Sequence, residues 1–382
     1  MTFEQKQRAP KAQNQILNGH HMKENNSKRT GKCKRLKKAN KTPSKLLNAG
    51  FYLIAVGFIT VLFIMYGPYS GFRDWYITTA MKTMNHQYLA TWFYSSEAII
   101  SVLENNKILE VSGITDTSKI TINNSASYKT YENEYEKEIL EKDPNHPEYK
   151  IIDIKGDNYS GYLAVVHDAS KLHTMVTSKL NVSGQYITTM AQNNKAVLAI
   201  NGGFFVDLKE DRTGGTPLGI TISNGKIITN KPYNDEGGLI GFDNNNKLVI
   251  GKLSVDQAKQ MNIRDAVTSG PFLIMNGESS KILGNGGWGT APRTAIGQRQ
   301  DGIVLMLVID GRKIGRAGAE MNDLIEIMER YGAYNAAALD GGTSSVMVEN
   351  YKIINDPINS DGVHKTRPVA TGFGLMLDKK EN

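Results

Sequence analysis

Cysteine is almost missing: Cys33 is the only one in 382 residues, so no disulfide can staple the chain and no Cys-based zinc site can form. Histidine is sparse as well. The seven histidines are scattered without ligand spacing, and His167 and His173 read as ordinary hydrogen-bonding groups. The acidic run Asp207, Glu210 and Asp211 reads as a solvated loop rather than a cation site, so neither metal nor cofactor is expected. Ser344 and Ser345 lack the G-x-S-x-G surroundings of an activated serine, and no Walker A lysine follows the glycines. Gly284-Asn285-Gly286-Gly287-Trp288-Gly289 does spell G-x-G-x-x-G. However, Pro292 and the lack of a helical pattern behind it deny a pyrophosphate the helix N-terminus it needs.

Positive charge is present but badly placed for nucleic acid. Residues 1–45 hold 13 Lys/Arg against Glu4 and Glu24, a net +11, whereas the whole chain carries +7, so the remainder is mildly acidic. No nucleic-acid partner is expected, and the basicity belongs to a tail that orients the chain. That tail runs into Leu46–Tyr66, where Asn48 and Thr60 are the clearly polar members. A run of ~20 apolar residues crosses ~30 Å of hydrocarbon as a helix with its backbone satisfied internally. Lys/Arg on the N-terminal side keeps that side cytoplasmic. Gly67-Pro68-Tyr69 is no small-x-small cleavage site. The expectation is therefore a single-pass cell-membrane protein with its C-terminal part extracytoplasmic.

The chain then divides by composition into a basic tail (1–45), an anchor (46–66), an aromatic juxtamembrane segment with a polar linker (67–150) and a main domain (151–382). Trp75, Tyr76, Tyr88, Trp92, Phe93 and Tyr94 suit a membrane interface or a packing surface. From Tyr159 onward short apolar runs alternate with glycine: Tyr162–His167, Ala196–Ile200, Leu218–Ile222, Lys226–Ile228, Lys247–Ile250 and Ile303–Ile309 read as strands. Asn224-Gly225 reads as a hairpin turn. Gly184–Asn193 and Ala319–Tyr331 read as helices, the latter with Met321, Leu324, Ile325, Met328 and Tyr331 on one stripe. The fold class is α+β: twisted mixed β-sheets with a few packed helices, preceded by a single N-terminal transmembrane helix.

Three strand ends share a design in which one polar residue precedes glycine: Asn201-Gly202-Gly203, Asp310-Gly311-Arg312 and Asp340-Gly341-Gly342-Thr343-Ser344. A buried strand delivers a carboxylate or amide to a sheet end, and glycine lets a ligand approach closely. An isolated Asp-Gly is more often a turn; three such corners point to one shared polar site. Arg293 and Arg312 have the planar fork that holds phosphate in two places, and Trp288 can stack on a sugar ring or pin its loop.

Taken in order, Asn201–Phe205, Ser269-Gly270-Pro271, Arg293–Gly297, Asp310–Arg312, the amphipathic helix and Leu339–Ser345 resemble the phosphodiester glycosidase family, over roughly residues 151–377. Bacterial members of that family are associated with exopolysaccharide synthesis. Two positions depart from its pattern: Thr343 stands where many members have a third glycine, and Asp323 where they tend to have Glu. The resemblance implies an extracytoplasmic hydrolase of sugar-1-phosphodiester bonds in envelope polysaccharide or teichoic-acid-like polymers. It also implies a carbohydrate phosphodiester as binding partner, with envelope-assembly partners possible. Asp340 and Asp310 are the candidate catalytic residues. Asn201, Gly202, Ser269, Arg293, Arg312, Gly341, Gly342, Thr343 and Ser344 are the candidate substrate-binding residues. The competing expectation is a non-catalytic polysaccharide-binding or export-scaffold module. On the charge asymmetry, protease added to intact protoplasts should digest the chain beyond residue 67 and spare the basic tail; a protected C-terminal domain would refute that topology.

Overall fold

The computed structural model describes residues 43–82, 86–122, 130–206, 214–359 and 361–377. The basic tail up to residue 42, Cys33, and the acidic trio Asp207, Glu210 and Asp211 lie outside the described residues. Two units are distinguished, Met1–Ile59 and Thr60–Asn382. The first contributes the beginning of helix α1 (Pro43–Tyr66). Its stretch Leu47–Tyr66 is long and apolar enough to cross a membrane, as an anchor or a signal sequence would be.

The second unit is α+β, as its sequence implies. Its central sheet has seven strands in the order Glu278–Ser279, Phe272–Met275, Ala333–Ala338, Arg293–Arg299, Val304–Asp310, Ser160–Val166 and Tyr149–Lys155. Every neighbouring pair in it is antiparallel. Both faces are covered, which explains why Ile303–Ile309 is apolar throughout rather than alternating. Val304, Met306 and Val308 point to one core, shared with Leu198, Ile200, Phe242, Ile250 and Phe373 of two five-stranded sheets. Leu305, Leu307 and Ile309 point to the other, shared with the helix Met321–Arg330.

One five-stranded sheet runs Lys352–Ile353, Met347–Glu349, Ala196–Asn201, Thr371–Met376, Leu172–Val176. The other runs Lys226–Asn230, Ile220–Ser223, Ile263–Ser269, Gly238–Asp243, Leu248–Gly251. The expected hairpin is present: Asn224 (φ 49°) and Gly225 (φ 72°) turn the chain between two of these strands, in the left-handed conformations that Asn-Gly accepts cheaply. The two expected helices form as Ile187–Asn194 and Met321–Arg330.

Three short helices follow α1: α2 (Ser70–Met81), α3 (Tyr88–Thr91) and α4 (Ser96–Asn105). They close on a small core of Ile77, Ala80, Ala90, Tyr94, Ile99 and Val102. The polar stretch behind them is laid onto the sheets. Lys107–Leu109 pairs with Lys281–Leu283, and Ile108, Ile139 and Leu140 enter the helix-side core.

The stripe on Met321–Arg330 sets that core. Leu324 is fully buried, so Leu324→Ala should cost about 2–5 kcal/mol. Glu326→Ala, on the exposed face of the same helix, should stay within ~0.5 kcal/mol of the parent. Urea melts of the two variants check the assignment; equal losses would refute the packing of this face.

Candidate active site

The site is built where strands of different sheets end together. Asn201 closes Ala196–Asn201, and Asp340 follows Ala333–Ala338 by two residues. The fully buried Asn201 amide donates from Nδ2 to the Asp340 carbonyl at 2.6 Å. Its Oδ1 accepts from Thr294 Oγ1 at 2.8 Å and from the Val346 amide at 3.2 Å. The Asp340 amide in turn donates to the Gly202 carbonyl at 3.1 Å. Asn201 therefore fixes the corner rather than facing a ligand.

The carboxylate of Asp340 lines a cavity of about 410 Å³ together with Lys82, Phe204, Phe205, Tyr233, Glu236, Trp288 and Arg367. Arg367 places Nη2 3.3 Å from Asp340 Oδ2 and donates from Nε to Ser344 Oγ at 2.8 Å. Its guanidinium lies 4.6 Å over the Phe205 ring, a favourable cation–π position. Arg312 donates from Nη1 to Thr343 Oγ1 at 2.8 Å and to the Ile358 carbonyl at 3.1 Å. Thus the hydroxyl that stands in place of a third glycine positions an arginine. Gly342 sits beside that guanidinium with φ 62°, a conformation that costs a residue with a Cβ more than it costs glycine. Arg312 itself has φ 61°, held there by the backbone bonds of the tight turn to Ala317. Burial, and then the neighbouring Arg367 charge, press the Arg312 guanidinium below its ordinary value.

The other arginine of the sequence reading is spent elsewhere. Arg293 is buried and donates to the carbonyls of Ala319 (3.1 Å), Trp288 (2.8 Å) and Gly289 (2.5 Å). Burial pulls it down to about 10, so it still carries its proton at neutral pH. It anchors the glycine-rich loop that carries Trp288. That indole lies parallel to Phe204, centroids 6.4 Å apart and planes 9° apart. Its Nε1 donates to Glu236 Oε2 at 2.7 Å. The pair forms an aromatic wall of the cavity that Asp340 also lines.

Asp310 ends Val304–Asp310 but does not line the cavity. It is 7% exposed, and its Oδ1 accepts from Asn355 Nδ2 at 2.8 Å and from the Asp356 amide at 3.0 Å. Burial pushes its carboxyl above the ordinary range. Ser269 is buried with no partner for Oγ and lies outside the cavity lining. Asp323 accepts from the Glu320 amide at 2.7 Å, capping its own helix. Burial holds His167 down at about 4, neutral at physiological pH. Among the described residues no group of acidic, histidine or cysteine side chains is arranged to hold a metal. A cavity of about 490 Å³ lies between Glu132–Glu136 and Arg299–Asp301, but Arg299 is already bonded to Asp301 and the Tyr331 carbonyl.

Residues 194–376 match the model of the phosphodiester glycosidase family. That stretch contains the Asn201, Arg293, Arg312, Asp340 and Arg367 positions. The fold is similar to the catalytic domain of zebrafish N-acetylglucosamine-1-phosphodiester alpha-N-acetylglucosaminidase, described as auto-inhibited by its pro-peptide. The identity is 23% over 62% of this chain and 86% of that one, with a TM-score of 0.51. A sequence relative is the SPbeta prophage-derived protein YomE of Bacillus subtilis (strain 168), 29% identical over 191 residues. The chain covers 47% of its own length in that match and 28% of the relative's.

Five cavity residues escaped the sequence reading: Lys82, Tyr233, Asp235, Glu236 and Arg367. Arg367 sits in Lys365-Thr366-Arg367-Pro368, with neither a strand end nor a glycine corner to mark it. Lys82 lies far outside the motif-bearing stretch.

The burial of Asp310 has a pH signature. A raised folded pKa means the native state keeps the proton to higher pH than the unfolded chain. The stabilisation from this group is complete below the unfolded value of about 3.9 and is lost as pH rises through the folded one. Asp310→Asn keeps an oxygen for both donors and lacks that slope. Urea midpoints should therefore move in the variant's favour between pH 4 and pH 7; a gap that does not change with pH would show that Asp310 is not desolvated.

Proposed function

We propose that the chain is a membrane-anchored, extracytoplasmic hydrolase of sugar-1-phosphodiester bonds in cell-envelope glycans. The family match supports a glycosidase of this kind. The observation that carries the residue assignment is the placement of the Asp340 carboxylate and the Arg367 guanidinium in one aromatic-walled cavity. The sugar ring stacks on the Phe204–Trp288 wall, where C–H groups meet a π face. The phosphate lies toward Arg367, with the Arg312 guanidinium behind it.

The leaving group in this chemistry is a phosphate monoester, stable enough to depart with little protonation. The arginines lower the barrier by meeting the charge that develops on it. Asp340 takes a proton from water as the water oxygen bonds to the anomeric carbon, and the C1–O electron pair goes to the phosphate. Sugar hemiacetal and phosphate monoester result. In this scheme Arg293 holds the Trp288 loop, and Asp310 braces the Asn355–Asp356 segment rather than attacking.

Asp340→Asn should lower kcat on a chromogenic sugar-1-phosphodiester about 100-fold or more with KM little changed. Arg367→Lys should weaken a sugar phosphate by roughly 1–3 kcal/mol while leaving the free sugar nearly unaffected. Near-full turnover by a folded Asp340→Asn protein would overturn the carboxylate assignment. A folded parent that binds the substrate without turning it over would make the protein a binding module instead.

A further inference from the structure

One wall of the cavity comes from outside the family-matching stretch. Lys82, the residue after α2, lines the cavity beside Trp288 and Glu236. Its ammonium is 3.1 Å from Glu236 Oε2 and 4.3 Å from the centre of the Trp288 ring. Further bonds weld α2 and α4 to the same loop. Asn285 donates to Thr78 Oγ1 at 2.9 Å, Asn106 Oδ1 accepts from the Asn285 amide at 2.9 Å, and Asn106 Nδ2 reaches Asp74 at 3.3 Å. Thr78 is fully buried. This side of the helical unit belongs to the active site.

The end of α1 packs on the same helical unit. Tyr66 donates to the Phe93 carbonyl at 2.8 Å, Tyr94 donates to the Met65 carbonyl at 3.0 Å, and the two rings are 5.6 Å apart. Met65 packs against the same small core as α2, α3 and α4. The same segment exposes Tyr66, Tyr69, Trp75, Tyr88, Trp92 (72% exposed) and Phe93. Tyr and Trp with one apolar and one polar edge favour the headgroup layer of a bilayer. Between the last apolar turn at Tyr66 and the cavity at Lys82 stand three linking residues and α2, whose 12 residues span about 18 Å. Both ends of that connection are packed, Tyr66 onto Phe93 and Tyr94 and Lys82 onto Glu236.

We infer that α2–α4 is a spacer that holds the cavity about one helix length from the bilayer and supplies part of its wall, so that the substrate is a sugar-1-phosphodiester in a glycan carried on a membrane lipid. This rests on the hydrolase function proposed above and on α1 as the span. A phosphodiester within ~20 Å of the headgroups is within reach; one in a soluble glycan gains nothing from the spacer, and one deep in the wall lies beyond it.

The test uses the full chain in phosphatidylglycerol–phosphatidylcholine vesicles with two probes. One is a sugar-1-phosphodiester with a long alkyl aglycone embedded in the vesicle, the other the same sugar phosphate with an ethyl aglycone in solution. A semi-rigid helical insert of about 20 residues after Gly67, ~30 Å long, lifts the cavity away while leaving α2–α4 on the catalytic domain. The parent should prefer the embedded probe. The insert should lower kcat/KM on it at least about tenfold, by loss of effective concentration, and leave the soluble probe within about twofold. A parent that prefers the soluble probe, or an insert that changes neither rate, overturns the spacer. A parent that turns over neither probe overturns the hydrolase function itself, and the spacer with it.

Discussion

One buried amide holds the Asp340 corner together. Asn201, fully buried, reaches the seven-stranded sheet through the equally buried Thr294 and through the Asp340 carbonyl, and its own sheet through Val346. A primary amide suits this junction because it donates and accepts at once. A leucine there would leave the Asp340 carbonyl and the Val346 amide without partners, at a cost of about 1–3 kcal/mol each. An aspartate would lose the donor and place a charge where burial opposes it. The position of the Asp340 carboxylate is thus set by its own backbone, which Asn201 and Gly202 grip from two sides.

Charge is divided around that corner according to what each arginine has to hold. Arg293 is committed to three carbonyls, and these contacts offset much of the cost of burying a guanidinium. Arg367 lines the cavity whereas Arg312 does not, and each is oriented by a hydroxyl, Arg312 by Thr343 and Arg367 by Ser344. Hydroxyls orient a guanidinium without neutralising it. Asp340 places a carboxylate oxygen 3.3 Å from Arg367 Nη2.

The motif-bearing corners were legible because each joins an apolar run to glycine within a few residues. The α+β class, the Asn-Gly hairpin and the stripe on Met321–Arg330 were legible for the same reason: their signals are local. What local pattern cannot separate is Asp310 from Asp340. Both end a buried strand before glycine, and only a distant residue tells them apart. Asn355 and the Asp356 amide cover Asp310, whereas Asp340 opens onto the aromatic wall. The same limit made Arg293 and Arg312 look equivalent, since the carbonyls that occupy Arg293 come from Trp288, Gly289 and Ala319. Arg367 carries no local signal at all. Its role exists only once the chain has brought it to Ser344 from 23 positions away.

The residues ahead of the family-matching stretch complete its fold. Tyr149–Lys155 and Ser160–Val166 form the outer two strands of the seven-stranded sheet, and Leu172–Val176 forms an edge of a five-stranded one. All three precede residue 194. Without them Val304–Asp310 would become an edge strand with its apolar ladder unpaired, a surface prone to pairing with other chains. The cavity repeats this division at smaller scale. Asp340, Arg367 and Trp288 come from the matched stretch, while Lys82 arrives from the helices behind α1 and closes on Glu236. The stretch from 194 to 376 and the helices behind α1 therefore each supply part of one cavity.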